Sequence, residues 1–108
     1  MKFRKFAASM FAAVIAGGAL MASSARAADA GNGGNLAKRW CAACHVVASD
    51  QSSGNTQVPP FSAIASKPDF DAGKMALFLL TPHPKMPDMN LSRAEAADLA
   101  SYIATQGK

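Results

Sequence analysis

The chain has 108 residues, half of them hydrophobic and 17% charged, with a formal charge of +4. That length accommodates one domain. The basic excess sits in the first 27 residues, where Lys2, Arg4, Lys5 and Arg26 meet no acid, so the remainder balances seven basic against seven acidic groups. With neither a basic stripe nor interleaved aromatics, the electrostatic footprint of nucleic-acid binding is missing.

The first 27 residues read as a secretory signal. A charged head is followed by an apolar run from Phe6 to Ala22, broken only by Ser9, Gly17 and Gly18, and then by Ala25-Arg26-Ala27, a small-x-small cleavage pattern. Ala28-Asp29-Ala30 offers a second cleavage position. The run is shorter than the roughly 20 apolar residues that span a bilayer. The expected division is therefore 1–27, a cleaved signal, and 28–108, a mature domain without stable membrane insertion. Export delivers Cys41 and Cys44 to an oxidising compartment, where so close a pair ordinarily reads as a disulfide or a redox dithiol.

Residues 28–34 are rich in Gly, Asn and Ala and read as a flexible lead into a first helix, expected from residue 33 or 34 to 41. Leu36, Ala37, Trp40 and Cys41 fall at helical spacing on its apolar face. Cys41-Ala-Ala-Cys44-His45 follows, the attachment sequence of a c-type haem. Two thiols one helical turn apart reach two vinyl groups of a porphyrin, and the adjacent imidazole is then held beneath the iron. A thioredoxin-like dithiol belongs beside a βαβ pattern that this chain lacks. A structural zinc site needs four ligands, for which only Cys41, Cys44, His45 and His83 are available.

Residues 49–57 are polar and predict an exposed loop. Val58-Pro59-Pro60-Phe61 brings the chain back to the core in extended conformation, since proline disfavours helix in the residue before it. A short helix is expected over 62–66 and a clearer one over 71–80, capped by Asp69 or Asp71, with Met75, Phe78 and Leu79 as its buried stripe. The prolines at 82, 84 and 87 forbid regular helix and stiffen a loop that carries His83 and Met86. Ser92-Arg93-Ala94-Glu95 is a capping box. It starts a last helix running to about residue 106, with Leu99, Tyr102 and Ile103 on one face. No strand is predicted. The fold class is all-α, three to five helices and long loops, and so few apolar side chains make a small core that one large flat cofactor would fill.

Cys41-Ala-Ala-Cys44-His45, Pro59-x-Phe61, and Met86-Pro87 ahead of a helix carrying Leu99 and Tyr102 together resemble the class I, mitochondrial-type soluble cytochromes c of bacteria, over residues 33–106. The resemblance implies that fold, wrapped around one covalent haem c. It places the second axial ligand on Met86, 13 residues before Leu99, with Met89 as competitor and His83 an exposed loop residue. It implies that a backbone carbonyl at Pro59 orients His45. It also implies a crossing of the first and last helices where Gly33 and Ala37 meet Leu99 and Tyr102, with Trp40 core beside the haem. A neutral thioether opposite histidine stabilises ferrous iron and raises the potential. Two filled axial positions leave no site for substrate activation, so the expectation is a monomeric electron carrier of the periplasm, not an enzyme. Its redox partners would be a membrane respiratory complex or a periplasmic reductase or oxidase. An electron-transfer subunit of a larger dehydrogenase or oxidase complex, and a gas-binding haem sensor with a labile Met86, are the alternatives. Lys38, Arg39, Lys67 and Lys85 are candidates for steering an acidic partner.

Overall fold

The computed structural model describes residues 17–18, 26–81 and 85–107. Most of the signal reading of residues 1–27, and the Pro82-His83-Pro84 part of the proline loop, lie outside the described residues.

The first helix, α1 (Ala30–Trp40), begins earlier than the expected start at residue 33 or 34. Asp29 is extended, with φ −101° and ψ 100°, and its side chain accepts the Asn32 amide at 3.0 Å, which supplies the cap. Glycine costs a helix about 1 kcal/mol relative to alanine, yet Gly33 and Gly34 are helical because both are buried against the last helix. Lys38 and Arg39 occupy the last turn, where the helix dipole favours cations.

Pro60, extended at φ −66° and ψ 154°, starts the short α2 (Phe61–Ala65). The third helix, α3 (Ala72–Leu80), is capped by Asp71, which accepts the Lys74 amide at 2.8 Å. In α4 (Arg93–Thr105) the Ser92 hydroxyl accepts from Glu95 N at 3.1 Å and the Glu95 carboxylate accepts from Ser92 N at 3.4 Å, so the capping box forms as the sequence implies. Among the described residues the structure is all-helical and contains no strand. No described helix is long and apolar enough to cross a membrane.

Helix α4 is the hub, with α1, α2 and α3 all packed on it. Ala37, Cys41, Val47, Phe61, Leu99 and Ile103 form the buried core, and Met75, Leu79 and Met89 are partly buried against it. At the α1–α4 crossing a Cβ on Gly33 would run into the Asp98 carbonyl and lie 2.8 Å from Tyr102 Cβ. The crossing therefore involves Asp98 as well as the expected Leu99 and Tyr102. The buried Asp98 carboxylate accepts from Asp29 N at 2.7 Å and from Asn32 Nδ2 at 2.8 Å. These bonds, the Asp29 amide first, hold its pKa below the usual carboxylate value against the opposing effect of burial. They fasten α4 to the first turn of α1.

Helix α3 departs from its expected buried stripe. None of its residues is fully buried, Phe78 is 45% exposed and Leu77 68% exposed, while Met75 and Leu79 reach the core only in part. The polypeptide alone does not supply enough apolar surface to cover this helix.

Candidate haem site

Where α1 ends, the chain continues in turns rather than straightening. Cys41 N donates to Ala37 O at 2.9 Å, and Cys41 O accepts from Cys44 N at 3.1 Å and from His45 N at 2.8 Å. These bonds set Cys41 and Cys44 one turn apart with His45 directly after them, the local geometry that the Cys-x-x-Cys-His spacing requires. Both cysteines are free, Cys41 buried and Cys44 exposed. Desolvation pushes the Cys41 thiol up to about 11. A redox dithiol depends on a lowered thiol pKa, so the surroundings of Cys41 are the opposite of what that chemistry needs.

His45 is held at one ring nitrogen. Its Nδ1 lies 2.6 Å from the Pro59 carbonyl. A carbonyl only accepts, so Nδ1 carries the proton and Nε2 keeps the lone pair with which imidazole binds metals. Pro59 is positioned by the turn before it, in which Asn55 N donates to Cys44 O at 2.8 Å, and by Phe61 N donating to Val46 O at 2.9 Å after it. The Phe61 ring packs on His45 with centroids 5.5 Å apart, and on Tyr102 at 6.3 Å. The Tyr102 hydroxyl donates to Val47 O at 2.7 Å, which couples α4 to the segment following the cysteines. Its phenol is pushed above the ordinary tyrosine pKa by desolvation first and by the Asp50 charge second.

The methionines have different surroundings. Met89 packs against the core cluster, whereas Met86 is half-buried in the loop before α4. The backbone between them and α4 turns at Asn90, a left-handed residue with φ 50°, whose amide is held by Asp88 Oδ1 at 2.9 Å. His83 lies outside the described residues. Among the described residues no cluster of three or more His, Cys, Asp or Glu side chains is arranged to hold a bare metal ion.

Gln51 is the residue that sequence reasoning missed. It lies in the polar 49–57 stretch expected to be exposed, yet it is half-buried and four hydrogen bonds converge on its side chain. Polar character argued for solvent; the only available signal was its proximity to the turn that closes α1. Trp40, expected to be core, is 43% exposed. At helical spacing it stands on the margin of the face that α1 buries. Together with Leu77, Phe78 and Leu80 it leaves large apolar side chains uncovered by protein.

A haem fits this donor set and this surface. Two free thiols one turn apart, an imidazole with its lone pair on Nε2, a half-buried thioether and several uncovered apolar side chains are what a tethered porphyrin requires. The sequence matches the cytochrome c family over residues 30–107. It is 59% identical over 83 residues to cytochrome c-552 of Bradyrhizobium diazoefficiens, a match spanning 77% of this chain and 80% of that protein. No solved structure matches it significantly. The chain thus belongs to the cytochrome c family and is a haem c protein of electron transport.

Proposed function

We propose that this protein is a diffusible single-electron carrier of the bacterial periplasm, secreted through residues 1–27, monomeric, and holding one haem through Cys41 and Cys44 between His45 and Met86. The observation that carries this reading is the fixed imidazole: Nδ1 is tied to Pro59 O at 2.6 Å directly after the two thiols. A bound haem supplies a ferric/ferrous couple that changes by one electron. All other requirements fall to the chain.

Cys41 and Cys44 set the position of the macrocycle edge, and the turn bonds on Cys41 O keep that tether rigid. Pro59 O fixes the tautomer of His45 and raises the basicity of Nε2, as outer-shell acceptors do for metal-bound histidines. Met89 is engaged with the core, which leaves Met86 as the thioether free to serve from the opposite side. Trp40, Phe78 and Leu80 are available to exclude water from the flat faces, keeping the local dielectric low and solvent rearrangement small during transfer. With both axial positions filled by protein, no position is left for substrate, and the partners are other redox proteins: a membrane respiratory complex or a periplasmic reductase or oxidase.

The test is spectroscopy and redox titration of two single variants of the holoprotein. Met86→Ala opens the sixth position, abolishes the methionine-to-iron band and lowers the potential; Met89→Ala retains the low-spin spectrum. The reverse outcome transfers the ligand to Met89, and carbon monoxide binding to the unmutated ferrous protein at neutral pH contradicts the carrier reading in favour of gas binding.

A further inference from the structure

We infer that Gln51 is a positioning residue for the haem ligand, its amide fixing the backbone from which His45 reaches the iron. This rests on His45 being the proximal ligand. At the end of a helix the last carbonyls lose their amide partners. Past α1, Cys41 O regains partners from Cys44 N and His45 N, and Cys44 O from Asn55 N. The Ala42 and His45 carbonyls are taken instead by one side chain, Gln51, whose Nε2 donates to Ala42 O at 3.1 Å and to His45 O at 2.9 Å. The same nitrogen lies 2.9 Å from Ser53 O, and Oε1 accepts from Val47 N at 3.0 Å. A primary amide has two N–H donors, so three carbonyls share them and the donor capacity is fully used.

The bonds bracket His45 on both sides. Its own carbonyl and the amide two residues on are fastened to the same Gln51 group, while its ring is fastened at Nδ1 to Pro59 O. A ring held at its far nitrogen and at the backbone that bears it has little freedom to rotate about its side-chain torsions. The plane of the imidazole, and with it the orientation of the ligand orbitals over the haem, follows from these anchors. An amide is required: a carboxylate of the same shape keeps the bond from Val47 N but loses every donor and turns a negative charge toward the Ala42, His45 and Ser53 carbonyls.

The experiment uses ferric and ferrous holoprotein of Gln51→Glu and of the milder, near-isosteric Gln51→Met, with Ser92→Ala as a destabilised control remote from the ligand. Proton NMR of the ferric form reads the haem-methyl hyperfine shifts, which depend on the orientation of the axial ligands, and voltammetry reads the potential. Both Gln51 variants are expected to redistribute the methyl shifts and the His45 ring resonances and to shift the potential, more in Gln51→Glu. Ser92→Ala is expected to lower the unfolding midpoint while leaving shifts and potential at wild-type values. Gln51 variants that lose stability with an unaltered hyperfine pattern and potential would make Gln51 a loop fastener only and overturn the inference. Absence of ligated His45 resonances from the unmutated protein would overturn the ligand reading itself, a distinguishable failure.

Discussion

Gly33→Ala separates helix propensity from helix packing, because the two act on it with opposite sign. In an isolated helix the substitution gains about 1 kcal/mol. Here the added Cβ would collide with the Asp98 carbonyl and approach Tyr102 Cβ to 2.8 Å. The obstacle is backbone inside α4, which cannot move aside as a flexible side chain would. Overpacking of a well-filled contact costs typically about 1–3 kcal/mol, and a backbone obstacle belongs at or above the upper end. The shift that relieves it also strains the Asp98 bonds to Asp29 N and Asn32 Nδ2. Net destabilisation is therefore expected at about 2 kcal/mol, a Tm drop of roughly 8–16 °C for a domain of this size. Gly31→Ala is the control: it is exposed, its Cβ meets only Asp29 Oδ1 at 3.2 Å, and its stability should stay within about 0.5 kcal/mol of wild type. Thermal unfolding of the two holoproteins, followed by circular dichroism, reads both. Equal midpoints for Gly33→Ala and Gly31→Ala would refute the close-approach reading of the crossing.

The buried Asp98 carboxylate gives stability a defined pH dependence. Its folded pKa is depressed below the ordinary 3.8, so its contribution is complete above that value and is lost as pH falls toward the depressed folded value; Asp98→Asn should flatten acid unfolding in that window, and an unchanged acid limb would contradict the bonding. Tyr102→Phe removes the hydroxyl that donates to Val47 O at 2.7 Å and should cost about 1–2 kcal/mol in denaturant unfolding, since a partly buried carbonyl loses its partner. No loss would show that water replaces the hydroxyl there.

Local signals in the sequence carried most of the fold. The capping box at Ser92 and Glu95 and the cap at Asp71 are short-range hydrogen-bond devices, and they appear in the structure at the expected positions. The start of α1 was not legible, because residues 30–34 have poor helix propensity and are helical through contacts with α4, some 65 residues away along the chain. The same limit hid Gln51, whose bonds depend on the turn that follows α1 and not on any pattern around position 51. The exposure of Phe78 and Trp40 departs from their periodicity for another reason: spacing assigns a side chain to an apolar face but does not say whether protein or cofactor covers it.

The pentapeptide Cys41-Ala-Ala-Cys44-His45 was legible because its chemistry is compressed into five consecutive residues. Its partner across the macrocycle was not derivable from spacing alone. Met86 and Met89 are three residues apart, and what distinguishes them is packing, with Met89 drawn onto the core and Met86 left in the loop.

Covalent attachment through both thiols is tested most directly by intact mass of the exported protein after denaturation and thiol alkylation, with a pyridine haemochrome spectrum of the same sample. One haem retained per polypeptide, no alkylated cysteine and a spectrum of the doubly thioether-linked type are expected. A colourless chain in which Cys41 and Cys44 both take up the alkylating reagent, or are joined to each other, would contradict the account.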